Sequence, residues 1–325
     1  MTHTELDAAK IHDPALRRSY TACRTLNARH GRTFFSATRL LAPDQRPAIH
    51  ALYGFARRAD DILDTLDPAA SPADRAARLG TLEQQFRTRD TAADPVLAAV
   101  LHTVHTYRLP GELFEAFFAS MRMDLTVTDY PDRAALDRYV HGSAEVIGLQ
   151  VLPVLGAVGP REEAAPYAAA LGYAFQLTNF LRDIGEDLSR GRIYLPADEL
   201  AAFGVDRDVL LWCRAHRHTD ARVRRALAHQ HALTRERYAY ARAGITLLHP
   251  RSRACVATAL TLYSEILDRI EDSGFAVFAH RAHVPLARRL VVGGRGLLGS
   301  WRARRVPVPG QPVGPAPVPI GRPDP

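Results

Sequence analysis

The chain carries two groups of carboxylates whose spacing could bind cations. The first lies in the stretch ALYGFARRADDILD at 51–64, where three aspartates fall within five positions: Asp60, Asp61 and Asp64. On a helix these residues and Arg57 share one face, because successive residues turn by about 100°. Like charges four residues apart destabilise a helix, and burying carboxylates costs far more. The group therefore needs cations if it faces inward; a solvated face with arginine partners is the alternative.

The second group lies in the stretch FQLTNFLRDIGEDLSRGRIYLP at 175–196. By the same geometry its polar residues fall on one helical face: Gln176, Asn179, Asp183, Glu186 and Asp187. Both groups contain the pattern Asp-x-x-x-Asp, and an arginine (Arg57 or Arg182) flanks each of them. We therefore predict two helices whose acidic faces meet across a cavity.

The ligand chemistry of these groups favours one class of metal. Hard oxygen ligands without cysteine or a histidine pair suit Mg²⁺, with Mn²⁺ as the alternative. Mg²⁺ is commonly shared between carboxylates and substrate phosphates, so two such groups with arginines predict a diphosphate site. Apolar residues nearby could line a tunnel for a hydrocarbon tail or belong to the ordinary core: Leu149, Val151, Leu152, Val154, Leu155, Phe175, Leu177 and Phe180.

The elements that must hold these groups are helices. Apolar residues recur at helical spacing, no alternating strand pattern persists, and Pro, Gly and Asp cluster at the breaks. We predict helices at 13–29, 44–65, 73–88, 94–107, 111–126, 132–158, 163–188, 207–243, 250–272 and 282–291. The sequence thus predicts an all-α fold.

The amino-acid composition indicates the cellular compartment and the kinds of binding partner. The 325 residues are 47% hydrophobic, enough for one large core, and the formal charge of +7 favours anionic partners. The three cysteines fit neither a disulfide framework nor a zinc site, which indicates a reducing compartment. The N-terminus lacks the apolar core of a signal peptide, and no run is long enough to span a bilayer. We expect a cytoplasmic protein.

The composition changes near the C-terminus. The stretch ARRVPVPGQPVGPAPVPIGRPDP at 303–325 is rich in proline and poor in large side chains, so it cannot bury enough apolar surface to fold. We predict one helical domain at 1–300 and a disordered proline-rich tail at 301–325. The preceding stretch at 280–305 mixes arginines with leucine, valine and Trp301, and predicts peripheral contact with the inner face of the cell membrane.

Several stretches together resemble the squalene and phytoene synthase family of head-to-head prenyl transferases. The resemblance covers about 20–290, and its most specific parts are HGRTFFSATRLL (30–41), YGFARRADDILD (53–64), YVHGSAEVIGLQVLPVLG (139–156), QLTNFLRDIGEDLSRGRIYLP (176–196) and LYSEILDRIEDSGFAVF (262–278). The sequence at 141–156 and 191–205 is most similar to that of bacterial phytoene synthases. The family often has Ser-Lys-Ser after the position of His30, whereas this chain has Gly31-Arg32-Thr33.

The resemblance implies a single-domain all-α isoprenoid (terpenoid) synthase fold with a central cavity. It implies metal ligation by Asp60, Asp64, Asn179, Asp183 and Asp187, to which the two acidic groups add Asp61 and Glu186 as metal candidates. It implies substrate or diphosphate contact by His30, Arg32, Thr33, Tyr53, Arg57, Gln176, Arg182 and Tyr263. Four aromatic rings are candidates to stabilise cations, with ordinary core residues as the alternative: Phe34, Tyr53, Tyr194 and Tyr263.

The function that the resemblance implies is carotenoid biosynthesis. Two geranylgeranyl diphosphates would condense head to head, through prephytoene diphosphate, to phytoene. This is a magnesium-dependent prenyl transfer in which Asp60, Asp64, Asp183 and Asp187 are the catalytic aspartates. The string Gly294-x-Gly296-x-x-Gly299 matches a dinucleotide fingerprint, but no βαβ unit surrounds it. We therefore expect no NADPH requirement.

Two other functions stay open on the sequence alone. One is a bacterial squalene, hydroxysqualene or dehydrosqualene synthase that uses farnesyl diphosphate, since tunnel length decides between C15 and C20 donors. The other is a helical membrane- or nucleic-acid-binding protein with a basic surface. Such a surface would gather its basic residues into one stripe with interleaved aromatics. Here the arginines are spread along the chain, so we expect no nucleic-acid partner.

Overall fold

The computed structural model describes residues 2–63, 71–91 and 94–303. Within these ranges the chain forms fifteen α-helices, and the β interactions are two isolated bridges, Asp129–Ile193 and Ala157–Leu248. The helices are α1 (Thr2–Ala8), α2 (Pro14–His30), α3 (Arg32–Thr38), α4 (Arg46–Leu63), α5 (Pro72–Thr88), α6 (Leu97–Tyr107), α7 (Gly111–Met123), α8 (Arg133–Val140), α9 (Val146–Leu155), α10 (Arg161–Ser189), α11 (Ala197–Ala201), α12 (Arg207–His216), α13 (Ala221–Ala243), α14 (Pro250–Asp272) and α15 (Leu286–Ala303). The predicted all-α fold is confirmed.

Helix α10 is the central element, and small residues let its neighbours approach closely. A Cβ added at Gly172 would lie 2.4 Å from the carbonyl oxygen of Ala144, and one at Gly148 would lie 2.3 Å from that of Ala168. A larger side chain at either glycine would push backbones apart. Because α9 and the turn before it lie this close, their side chains face those of α10 across a narrow space.

The predicted helix at 132–158 is interrupted by one π-helical turn at His141–Glu145, which joins α8 to α9. Gly142 in this turn packs against helix α7: an added Cβ would lie 2.2 Å from the carbonyl oxygen of Ala116 and from the hydroxyl of Ser120. Such wide turns occur frequently at functional sites because they re-aim side chains. The sequence pattern missed the turn, since its apolar spacing stays close to helical.

The prediction of one helix at 207–243 is wrong, because α12 and α13 are separate. Arg217 ends α12 in the left-handed region with φ 51°. Asp220 then caps α13 by accepting a hydrogen bond from the backbone N–H of Arg222.

The end predicted for the last helix, near residue 291, is also wrong. Helix α15 runs to Ala303 through four glycines. At Gly296 an added Cβ would lie 2.7 Å from both Leu40 and Thr258, so the glycine permits close packing of α15 on the α3 and α14 side of the protein. Residues 301–303, predicted to belong to the tail, are part of this helix, while the proline-rich stretch at 304–325 lies outside the described residues. The division into a domain and a tail stays a prediction.

Three apolar clusters form the core. The largest surrounds α10, α13 and α14, the second joins α2, α4, α6 and α7, and the third joins α3, α9 and the start of α14. In the described part of the chain, no helix is both long and apolar enough to cross a membrane.

Candidate active site

A cavity of about 300 Å³ lies between α10 and the helices around it. Helices α2, α3, α4, α9 and α14 and the π-helical turn all contribute side chains to its wall. From α10 the wall takes Ala164, Tyr167, Ala168, Leu171, Gly172, Phe175, Gln176 and Asn179. This spacing follows one face of the helix, and the fifteen steps from Ala164 to Asn179 span about 22 Å of helix axis.

The cavity is apolar along most of this length and polar at one end. Gln176 and Asn179 form the polar end, and Asp183 and Asp187 continue the same face of α10 beyond them. The amide nitrogen of Asn179 donates to Gln176 at 3.4 Å. Among the described residues, nothing hydrogen-bonds to the buried amide oxygen of Asn179, which leaves it available as a ligand.

We call Asn179, Arg182, Asp183, Glu186 and Asp187 the α10 patch. The Asp183 carboxylate accepts hydrogen bonds from Arg182 at 2.8 and 2.5 Å and from Arg281 at 2.8 and 3.0 Å. Burial alone raises the pKa of Asp183, but these hydrogen bonds outweigh burial and leave the pKa below its ordinary value. Asp183 is therefore ionised and held in one orientation.

Asp187 lies in the opposite electrostatic situation. Burial and the neighbouring Asp183 raise the pKa of Asp187 to about 7, although Arg190 partly compensates. Glu186, on the outer side, is exposed and pairs with Arg190 at 3.1 Å. A cation arriving beside Asp187 would therefore relieve a carboxylate that the protein itself leaves under-compensated.

We call Arg57, Asp60 and Asp61 the α4 patch. These residues lie in the last two turns of the described part of α4, where Arg57 pairs with Asp61 at 2.5 Å and both side chains are about one third exposed. Asp64, predicted as the third acid and as a metal ligand, lies outside the described residues. Arg58 pairs with Asp94 at 2.7 Å instead and supports the start of α6.

A group of aromatic rings connects the two patches at the polar end of the cavity. The ring centroid of Tyr263 lies 4.4 Å from that of Phe175 and 4.9 Å from that of Phe34, which in turn lies 6.3 Å from Tyr53. Tyr263 also hydrogen-bonds to Arg182. Burial raises the pKa of both tyrosines to about 12, so both phenols stay neutral. Phe34, Tyr53 and Phe175 thus line the cavity where its polar end meets its apolar wall.

Other predicted site residues lie at the margin of this arrangement. His30 and Arg32 are exposed at the junction of α2 and α3, and Thr33 is half-buried beside them. Tyr194 stacks on Phe180 with 4.2 Å between ring centroids. The Tyr194 pKa is raised by burial and, to a smaller extent, by nearby acids that include Asp187. The roles of these residues stay predictions.

Half of the predicted tunnel residues line the cavity: Val151, Leu152, Leu155 and Phe175. Val154, Leu177 and Phe180 lie in the core instead, and Leu149 is half-buried. Sequence reasoning missed Arg281, which reaches Asp183 from 98 residues further along the chain. The segment between α14 and α15 has no regular pattern that would have predicted this contact.

The donor set fits Mg²⁺. In the ranges that the structure describes, no three His, Cys, Asp or Glu side chains lie close enough together to hold a metal by themselves. Mg²⁺ needs no such cage, since one or two carboxylates with water and substrate phosphate satisfy it. Such an ion prefers oxygen donors, and two are present here: the amide oxygen of Asn179, which has no hydrogen-bond partner among the described residues, and the carboxylate of Asp187, whose pKa is raised.

Comparison with known proteins identifies the family. The squalene/phytoene synthase family model matches residues 27–288. This chain belongs to the squalene/phytoene synthase family. Two relatives are a phytoene synthase from Arthrospira platensis, 37% identical over 86% of this chain and 93% of the relative, and a 15-cis-phytoene synthase from Synechocystis sp., 34% identical over 84% of this chain and 82% of the relative.

Solved structures of the family share the fold. Squalene synthase HpnC from Alicyclobacillus acidocaldarius matches with a TM-score of 0.71 and 28% identity, over 82% of this chain and 98% of that protein. A dehydrosqualene synthase with bound ligand matches with a TM-score of 0.77 and 24% identity, over 86% of this chain and 96% of that protein. The chain has the all-α isoprenoid synthase fold, and as a family member it is a prenyltransferase that acts on prenyl diphosphates.

Proposed function

We propose that this family member couples two geranylgeranyl diphosphates head to head to give phytoene. The observation that carries the proposal is the division of the cavity. Its polar end at Gln176 and Asn179 leads to the charged α10 patch, and about 16 Å of apolar wall follow α10 from Phe175 to Ala164. A molecule with a charged head and a long hydrocarbon chain is complementary to such a cavity. The relatives named phytoene synthase, at 34–37% identity, support the same substrate class.

The acidic patches would hold Mg²⁺, or Mn²⁺ in its place. The residues proposed for this role are Asp60, Asp61, Asp64, Asn179, Asp183, Glu186 and Asp187. When bound, the metal supplies charge that stabilises the departing diphosphate. Arg57 and Arg182 belong to these patches and would donate charge-assisted hydrogen bonds to the diphosphate oxygens.

The chemistry then runs through carbocations. The C–O bond of one donor breaks, its electron pair leaves with diphosphate, and an allylic cation remains. The double bond of the second donor attacks this cation and closes a cyclopropane ring with loss of a proton. A second ionisation, ring rearrangement and proton loss give the hydrocarbon. The faces of Phe34, Tyr53 and Tyr263 stabilise positive charge there, and the released diphosphate can accept the protons.

The far end of the cavity favours the longer donor. Ala164 and Ala168 contribute small side chains to the wall at the first two turns of α10, and Gly244 and Ile245 also line the cavity. We therefore propose C20 over C15 chains. Replacing Ala164 by phenylalanine should shorten the cavity: turnover of geranylgeranyl diphosphate falls while farnesyl diphosphate still reacts. Equal losses of turnover for both donors would show that this end of the cavity does not determine which chain length the enzyme accepts.

The test of the function is product identification. Purified protein with Mg²⁺ receives geranylgeranyl or farnesyl diphosphate, each with and without NADPH, and the hydrocarbon is identified by mass spectrometry. We expect phytoene from the C20 donor with no effect of NADPH. Squalene that forms only with NADPH, or dehydrosqualene from the C15 donor alone, would overturn the proposal in favour of a farnesyl-diphosphate enzyme.

We also propose peripheral contact with the inner face of the cell membrane through α15. Leu286, Leu290 and Leu297 fall on one face of this helix and are 63%, 66% and 54% exposed. The opposite side packs on α14, where Arg288 binds Glu265 at 2.6 Å, and on α3, which carries part of the cavity wall. Exposed leucines on a basic protein suit an anionic bilayer.

Vesicle flotation tests the membrane contact. The double variant Leu286→Ser and Leu290→Ser should lose binding to vesicles that contain anionic lipid. The control variant Leu211→Ser alters an exposed leucine on α12 and should bind like the unchanged protein. Equal binding by all three proteins would contradict the proposal.

A further inference from the structure

The cavity wall contains a buried polar group that the proposed mechanism does not use. Asn27 on α2 is 0% exposed, and its side chain lines the cavity. Within the described ranges, nothing hydrogen-bonds to its amide oxygen. Leaving a buried acceptor without a partner destabilises the protein, so a wall built only for packing would carry an apolar residue at this position.

A contact with His50 sets the orientation of the Asn27 amide. The amide nitrogen of Asn27 lies 2.9 Å from Nδ1 of His50, which is itself buried and stacks on Phe35. Burial, with Arg24 and Arg46 nearby, lowers the pKa of His50 to about 3, so the imidazole is neutral. An amide nitrogen can only donate, and Nδ1 therefore accepts. The amide oxygen is thereby fixed on the other side, away from His50.

The oxygen lies beside the aromatic rings of the polar end. A Cβ added at Gly31 would lie 2.7 Å from this oxygen and 2.6 Å from Cζ of Tyr53, so the oxygen and the phenol end of Tyr53 are close neighbours. Glycine at position 31 is what allows this approach. The oxygen thus lies where the proposed reaction develops positive charge.

We propose that the amide oxygen of Asn27 is a fixed dipole that stabilises the prenyl carbocation next to Tyr53. The proposal rests on the proposed function, since it needs a cation in the cavity. A preoriented dipole in a site without water stabilises developing charge strongly, because it does not have to reorganise during the reaction. His50 is then a positioning residue that keeps the oxygen pointed away from itself.

The test compares two diphosphate ligands, one with and one without positive charge in the prenyl chain. One probe is a prenyl diphosphate analogue with a tertiary ammonium nitrogen in the chain, and the other is the analogue with an unmodified chain and sulfur in place of the bridging oxygen. Binding of each with Mg²⁺ is measured by calorimetry for the unchanged protein and for Asn27→Leu. We expect the ammonium analogue to bind about tenfold more weakly to Asn27→Leu and the sulfur analogue to bind within about twofold.

Controls separate this role from a structural one. Ser19→Ala removes a buried hydroxyl on the same helix, where it bonds to Pro95 and Ala99, and should weaken neither analogue. If Asn27→Leu does not fold, Asn27→Ala takes its place. Equal weakening of both analogues, or of neither, would overturn the proposal. Lack of coupling by the unchanged protein would refute the proposed function alone, because the two affinities are measured without turnover.

Discussion

The α4 and α10 patches each combine aspartates with an arginine but pair their charges differently. In the α10 patch, Asp183 accepts four hydrogen bonds, two of them from Arg281 in a distant segment. In the α4 patch, Asp61 pairs with Arg57 one turn away on the same helix, and both are about one third exposed. The α10 patch is therefore organised by the tertiary fold, and the α4 patch by its own helix.

The difference indicates a division of labour. A carboxylate held by two arginines keeps its charge and its position before any ligand arrives. The partly exposed pair of Arg57 and Asp61 contributes little stability by itself and can rearrange around a ligand. We expect the α10 patch to bind first and the α4 patch to complete the site.

The largest effect should come from Asp183→Asn. This change leaves two arginines without their shared carboxylate and removes a ligand oxygen, so turnover should fall at least about a hundredfold. Steady-state kinetics would measure the loss, with circular dichroism to verify the helices. The matched control is Asp268→Asn, which alters a surface acid paired with Arg235. Near-normal turnover of Asp183→Asn would contradict the claim that the α10 patch is the more strongly organised of the two patches.

Asp61→Asn should have a smaller effect. Its pair with Arg57 is partly solvated, so we expect turnover to fall about tenfold. Both variants are measured under the same conditions, and the loss of turnover in Asp183→Asn is divided by the loss in Asp61→Asn. A ratio near one would mean that the two patches are equivalent and would contradict the division of labour between them.

Arg281→Gln tests whether this arginine competes with the metal for Asp183. Without it, Mn²⁺ alone should bind severalfold more tightly, because one cation no longer occupies the carboxylate. Calorimetric titration without diphosphate provides the measurement. The control Arg288→Gln breaks an ion pair with Glu265 on α14 and should leave Mn²⁺ affinity unchanged. Weaker binding by Arg281→Gln would show that the arginine supports the metal site instead.

Asp187→Asn should stabilise the metal-free protein at high pH. The pKa of Asp187 is about 7 when folded and lies near its ordinary value, about 3.9, when unfolded. The folded state therefore binds the extra proton, and stability falls as pH rises from about 4 to 7. The variant removes this penalty, about 1–3 kcal/mol at pH 8 and none at pH 4. Urea unfolding at both pH values checks this, and an equal difference at both would contradict it.

Much of the site could be predicted from local pattern. The acidic faces on α4 and α10, the residues Gln176 and Asn179, and the helical class all follow from spacing of three and four residues. Arg281 and Asn27 could not be predicted in this way. The role of Arg281 depends on contact between segments that are far apart in the sequence. The role of Asn27 depends on the orientation of its amide, which His50 fixes from another helix.

The same limit applies to the breaks in helices. The π-helical turn at His141–Glu145 and the passage of α15 through Gly296 both lie in close contact with neighbouring segments. Helix propensity alone predicts the opposite for the glycines of α15, because glycine weakens an isolated helix. Tertiary packing overrides that preference where only a hydrogen atom fits.

The most direct test of a shared metal and diphosphate site is a calorimetric titration of Mn²⁺ with inorganic diphosphate present. We predict that Mn²⁺ binds the unchanged protein more tightly with diphosphate than without it. This gain should be lost in both Asp60→Asn and Asp183→Asn, because each patch supplies part of one site. Binding that is the same with and without diphosphate, or that persists in both variants, would contradict the claim that the two patches hold one metal and diphosphate site.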